Sequence, residues 1–256
     1  MIAYQSSLKE NDPHIELFDV INGQLDHMPA LEAILLELLP QYERYIPRMR
    51  TVAVNHPEYD AGFVQHQWVC RVDGLYAGII VFKYVIGRNC GLGLDFAIRP
   101  AFRHHKLGPQ NKRLAKLLID LCLQQLYADA RLHGREKPVG LLVEVETAAG
   151  DYDPEGRLLQ QYRRYGFLDL PVTYYEPPFI VDPHSDTQTH QHLQDKDFYP
   201  MQLGVFPLDE PDLSSPATLK DLISAFLIDH YGMMESHWAV QEAFNSIASA
   251  PVPKEL

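Results

Sequence analysis

Apolar and polar positions along this chain change period several times, and each change marks an element. Residues 65–72 (QHQWVCRV) and 76–86 (YAGIIVFKYVI) are rich in β-branched and aromatic side chains. Asp73-Gly74 between them is a turn signal, so the pair predicts a hairpin. Residues 92–98 (LGLDFAI) alternate, with Leu92, Leu94, Phe96 and Ile98 on one face and Gly93, Asp95 and Ala97 on the other. The period then lengthens. Leu114, Leu117, Leu118, Leu121, Cys122 and Leu126 recur at three- and four-residue steps, one apolar stripe of a long helix. Gly134 is its stop signal.

Further elements follow the same logic. Residues 139–145 (VGLLVEV) read as a buried strand, 156–165 as a short helix, and 167–175 as a strand after Gly166. Upstream, 14–20 reads as a short strand and 25–45 as one helix or two. Residues 182–197 are polar and read as a loop, 199–205 as a last strand. A Pro- and Asp-rich linker, 207–216, leads to two helices at 219–231 and 235–247. The order predicts a mixed α/β fold: a mostly antiparallel central sheet flanked by helices, with a C-terminal helical extension. The expected division is a main domain over 1–206, then linker and extension over 207–256.

Composition narrows the function classes. The net charge of −12 argues against a nucleic-acid binder, which needs a basic surface. It favours cationic partners or serves solubility alone. No run of 18 apolar residues appears and the first residues lack a signal-peptide pattern, so neither membrane nor secretion is expected. Cys70, Cys90 and Cys122 lie in apolar segments without CxxC spacing, which suits reduced thiols in the cytoplasm. His184, His190 and His192 in the polar loop have low-specificity spacing, and no metal site is expected.

Against this acidic background, Arg103, His104, His105 and Lys106 form a basic turn before Gly108-Pro109. A helix beginning there would aim its unpaired N–H groups, with the positive end of its dipole, at an anion. The alternative is a solvated basic turn before an ordinary helix. The Walker and dinucleotide glycine patterns are both absent. The run Ile98-Arg99-Pro100-Ala101-Phe102-Arg103-His104-His105-Lys106-Leu107-Gly108 instead resembles the acetyl-CoA loop of the GCN5-related N-acetyltransferases, the GNAT superfamily. Ile98, Pro100, Phe102, Arg103 and Gly108 match in register, while Lys106 stands where a glycine is usual. Tyr162-Arg163-Arg164-Tyr165-Gly166-Phe167 resembles a second segment of that family, and 72–79 resembles its hairpin. The polar residue often found two turns before the tyrosine has no counterpart near 154–157. The resemblance spans roughly 14–180.

What the resemblance implies is an acyl-CoA-dependent N-acyltransferase working by direct attack, with acetyl-CoA as co-substrate. Main-chain groups of Arg103, His104, His105, Lys106, Leu107 and Gly108 would hold its pyrophosphate. Ala97 and Ile98 would pair with its pantetheine arm. Asp95 would act as base and Tyr162 as the acid for the departing thiolate; a phenol of pKa about 10 suits a thiol near 8–9. Glu144, with Glu146 beside it, would share the base's work or bind a cationic acceptor. Each has a plainer alternative: Asp95 a structural acceptor, Tyr162 a packed tyrosine, Glu144 a charge on one strand face. The acceptor would be a small-molecule or peptide amine, cationic in form, and a homodimer is compatible. The competing class is a catalytically weak CoA-binding or regulatory interaction module.

Overall fold

The structure is a computed structural model that describes residues 2–5, 13–54, 62–107, 112–146, 156–178 and 198–247. The chain forms two compact units. One comprises Met1–Tyr84 and Gly93–Asp129, the other Val85–Leu92 and Ala130–Leu256. The fold is mixed α/β, with a mostly antiparallel sheet and flanking helices.

In the first unit the strands run in the order β1 (Ile2–Gln5), β2 (Ile15–Asp19), β3 (Phe63–Val72), β4 (Leu75–Val85) and β5 (Cys90–Ile98). Asp73 and Gly74 take φ of 49° and 81°, closing the β3–β4 hairpin where the sequence places it. Helix α1 (Met28–Leu38) presents Met28, Leu31, Ile34 and Leu35 on one buried face. A 3-10 turn, Pro40–Tyr45, leads into α2 (Ile46–Val54). Both helices pack with Val20, Val69, Ile79, Val81 and Ala97 in one core. Buried Gln67 joins this side by donating to the carbonyls of Val20 and Met49. The long helix α3 (Leu114–Leu132) buries Leu114, Leu118, Leu121, Cys122 and Leu126, as its stripe predicts, and Gly134 beyond its end takes φ 73°.

A charged group is fixed inside this unit. His66 of β3 lies flat against Phe82 of β4, ring centroids 4.8 Å apart. Its Nδ1 is 2.7 Å from Asp19 Oδ2 and its Nε2 3.2 Å from Asp129 Oδ2. Burial alone would lower its pKa. The hydrogen bonds to Asp129 and Asp19 outweigh that and raise it to about 9, so the imidazolium is the resident form.

The second unit orders its strands as β5, β8 (Gly140–Glu146), β11 (Tyr199–Pro207) and β10 (Tyr174–Glu176), with β9 (Leu168–Asp169) also on β11. Helix α4 (Arg157–Arg164) precedes β9. The expected single strand at 167–175 is divided into β9 and β10. Pro171 lies in the gap, where it has no N–H to give a ladder. The expected helix at 219–231 is α5 (Pro216–Ser224), capped by the Ser215 side chain, running on as a π-helical turn, Ala225–His230. Helix α6 (Trp238–Ile247) follows. Leu222, Ile223, Phe226, Leu227, Ala239 and Val240 are all fully buried, so the C-terminal segment is core-forming.

Candidate functional site

The candidate residues of the first unit lie around the end of β5. Arg99 N–H donates to Ala77 O at 2.9 Å, closing β5 onto β4, and a Cβ on Gly78 would stand 2.6 Å from Ala97 O. Only glycine allows that approach. The Arg99 side chain is clamped by Glu37 and by the carbonyl of Tyr76. The chain then turns through a 3-10 segment, Pro100–Phe102, into Arg103, His104, His105 and Lys106, all exposed. Arg103 Nε donates to Ile98 O at 2.9 Å and ties the turn back to the strand end. The phosphate-binding expectation for Arg103 therefore shares that side chain with a structural role.

The loop does not pass directly into a helix at Gly108-Pro109. Residues Lys106–Leu107 (β6) pair antiparallel with Lys112–Arg113 (β7), and α3 begins at Leu114. Gly108 itself lies outside the described residues, as do the histidines of 182–197. The N–H groups of the first helical turn belong to Leu114 and the residues after it, with Lys112 and Lys116 both paired to Asp120 beside them.

Asp95 is half-buried on β5, three residues before Ile98. Burial pushes its carboxyl up to about 6, against the pull of the Arg48 guanidinium on α2. Strict alternation does not hold here, because Leu94 and Ala97, three positions apart, both touch the core under α1 and α2.

In the second unit Tyr162 lies on α4, half-buried. Its ring meets Phe167 edge-on at 5.0 Å, and Phe167 N–H donates to Tyr162 O. Gly166, at φ 102°, ends the helix tightly against the Phe206 ring. The two aromatic residues of the Tyr-x-x-x-Gly-Phe segment are thus one packed unit. Tyr165, by contrast, accepts from Gln161 on the same helix.

Glu144 is held by partners that sequence spacing does not reveal. Tyr174 donates its hydroxyl to Oε1, and Tyr231 donates to Oε2 at 2.7 Å. Burial raises the Glu144 carboxyl well above its ordinary range and the nearby charge of Glu176 adds to that, while the two hydroxyls oppose it. Tyr174 is likewise raised, by burial and by Glu144. Glu144 and Tyr231 are 87 residues apart. The only sequence signal for the group is the spacing of Glu144, Tyr174 and Glu176 on strands.

The cysteines carry no chemistry. Cys70, Cys90 and Cys122 are buried and unpaired, and burial pushes Cys70 up to about 12, far from a reactive thiolate. Among the described residues no helix is long and apolar enough to cross a membrane.

No protein-family model matches the chain, and neither does any curated protein. Among solved structures it is similar to a protein described as a GNAT-family acetyltransferase from Bacteroides thetaiotaomicron, at 18% identity over 85% of this chain and 99% of that one, TM-score 0.47. It is also similar to the ribosomal-protein-S18-alanine N-acetyltransferase of Escherichia coli, at 13% identity over 75% and 93%, TM-score 0.44. A third is described as a streptothricin acetyltransferase from Bacillus anthracis in complex with acetyl coenzyme A, at 14% identity over 56% and 62%, TM-score 0.34.

Proposed function

We propose that this chain is an acyl-CoA-dependent N-acyltransferase of the GNAT superfamily, transferring acetyl from acetyl-CoA to a primary amine in the cytoplasm. The observation that carries the reading is where the motif residues fall on the fold. Ile98 ends a strand, the basic turn follows it, and the tyrosine and Gly-Phe segments bracket a helix end after the next long helix and strand. A carboxyl beside that strand end, held near pH 6, has the protonation behaviour a general base needs.

The chemistry runs in three steps. Asp95 takes a proton from the acceptor's ammonium, directly or through water. The amine nitrogen attacks the thioester carbonyl carbon, and a main-chain N–H near Ala97–Ile98 receives the developing oxyanion. The C–S bond breaks as the Tyr162 hydroxyl protonates the thiolate, the nitrogen passes its second proton through water to the resulting phenolate, and Asp95 returns its proton to solvent. The acceptor is a cationic small molecule or peptide, a reading supported by the −12 charge. Equal turnover of cationic and anionic amines at low salt would remove that part.

One observation favours a second reading. The Lys106–Leu107 ladder departs from a loop that enters a helix at once, which suits a binding module of weak catalysis. Thermal unfolding with acetyl-CoA, AMP and pantetheine separates the cases. A ligand at about a hundred times its dissociation constant adds roughly 2.7 kcal/mol of stability. A shift with acetyl-CoA but not AMP, followed by amine-dependent thiol release, supports the enzyme. A shift with no release for any amine supports the CoA-binding module, and no shift overturns the enzyme and leaves the regulatory interaction module.

A further inference from the structure

Arg99 is the root of the basic turn, and it is held at its backbone and at all three guanidinium nitrogens. Its N–H donates to Ala77 O, and its carbonyl accepts from Phe102 N–H, both at 2.9 Å. The guanidinium reaches two other elements. Nη1 donates to Tyr76 O on β4 at 2.9 Å. Nε and Nη2 lie 2.9 and 2.8 Å from one oxygen, Oε2, of Glu37 in the last turn of α1. Helix α1 grips the same place from its other end. His27, just before its first residue, stacks on Phe18 and holds its Nδ1 2.9 Å from the Tyr76 hydroxyl. All of these residues belong to the first unit.

The turn gains from an outside hold. Within it, Arg103 N–H donates to Pro100 O and His105 N–H to Phe102 O, at 3.3 and 3.2 Å, the bonds of a short 3-10 segment. Arg103 and Lys106 carry like charges on an exposed stretch, and their repulsion works against a tight turn. Pro100 restricts the backbone before it to extended values, and Arg99 sits at φ −56° and ψ 137°. That restriction does not aim the turn relative to β4 and α1; the guanidinium clamp does. The Arg99–Glu37 pair is open to solvent on both sides, so it adds little to folding stability. Its effect falls on the direction of the turn.

The geometry points to Arg99 as a positioning residue for the cofactor: anchored by Glu37, it presets the basic turn in the conformation that receives the anionic end of acetyl-CoA. This rests on the acyltransferase reading. A preset turn loses less conformational freedom on binding, so the clamp acts on affinity. Two plainer roles predict different results. Were Arg99 a bare charge acting on the phosphates, Arg99→Lys would keep its effect, and Glu37→Ala, which removes a negative charge, would tighten binding. Were it only a surface ion pair, it would matter no more than Arg50–Glu32, which joins α2 to α1 with Nε and Nη2 at 2.6 and 2.7 Å.

Titration calorimetry of the full chain with acetyl-CoA reads affinity, and melting temperature reports on folding. Alanine is the best helix former, so Glu37→Ala leaves α1 intact. Arg99→Lys and Glu37→Ala each weaken acetyl-CoA binding by about 5-fold, and the double variant falls short of the product of the two, because both break one clamp. Arg50→Gln leaves the affinity unchanged. In turnover the loss appears in the KM for acetyl-CoA, with kcat within about twofold. If Glu37→Ala binds acetyl-CoA as tightly as the unaltered protein or more so, if Arg99→Lys keeps full affinity, or if Arg50→Gln weakens binding equally, the inference falls alone. Should the unaltered protein bind no acetyl-CoA, the acyltransferase reading falls first and takes this one with it.

Discussion

Asp95 and His66 are both perturbed by burial, in ways that lead to different pH behaviour. Asp95 must be deprotonated to work, so kcat/KM should rise through about pH 6 and level off above it. Arg48 favours the ionised form, so Arg48→Gln should move that rise to higher pH. Asp95→Asn should lose at least 100-fold in kcat with acetyl-CoA binding retained; full turnover in that variant would remove Asp95 from the mechanism. His66 concerns stability. Its folded pKa of about 9 lies above the unfolded 6.5, so its contribution is complete below pH 6.5 and disappears as pH rises through 9. Urea midpoints at pH 6.5 and 9.5 should fall with pH more in the natural protein than in His66→Phe, which lacks the titrating ring. Neither environment was readable from sequence. Asp95 stood out only by its place near Ile98, and His66 depends on Asp19 and Asp129, which are 47 and 63 residues away.

Elements set by local chemistry were legible in advance. Asp73-Gly74 closes its hairpin and Gly134 stops α3, because a positive φ is a property of the residue and its immediate neighbours. Elements whose boundaries depend on distant partners were not. The sequence reading stops its helical stretch at 45 and leaves out α2, which starts at Ile46-Pro47, where proline fits a helix's first turn, and buries Met49 and Ala53 against the core. The start of α3 shifted because Lys106 and Leu107 found strand partners at 112–113. The close approach of β4 and β5 yields a test at this scale. In Gly78→Ala the new methyl meets Ala97 O at 2.6 Å, a backbone atom that cannot swing away. The melting temperature should drop by several degrees, with acetyl-CoA affinity falling as the β5 end is displaced. Leu118→Ala, at a fully buried point of α3, should cost about 2–5 kcal/mol in urea unfolding without touching the β5 end.

For the whole molecule, the sequence reading of a mixed α/β fold with a mostly antiparallel sheet is correct. The division into units was not legible, because it follows long-range pairings: Val85–Leu92 groups with residues beyond Ala130 rather than with its chain neighbours. The segment after β11 belongs to that second unit's core. Deleting 207–256 would uncover the face that Phe226 and Leu222 bury and leave Glu144 without Tyr231. Such a truncation should lose its cooperative melt and aggregate, as followed by light scattering during heating. A melt within a few degrees of the full chain's would show the segment to be an appendage.

The tip of the β4–β5 hairpin has a consequence for how the protein is made. Arg88 at that tip is held by Asp221 and Asp229, which lie 133 and 141 residues further along the chain. The ribosome, adding about 5–20 residues per second, delivers those partners on the order of ten seconds or more after Arg88 emerges. During that interval Val85, Cys90 and Leu92, all buried in the finished protein, lack the rest of their own unit, residues 130 onward. The nascent chain thus carries a sticky, thiol-bearing loop through most of its synthesis. Newly made protein should be the form most exposed to chaperone capture and to cysteine oxidation, with release from both coming only when translation reaches the last helices.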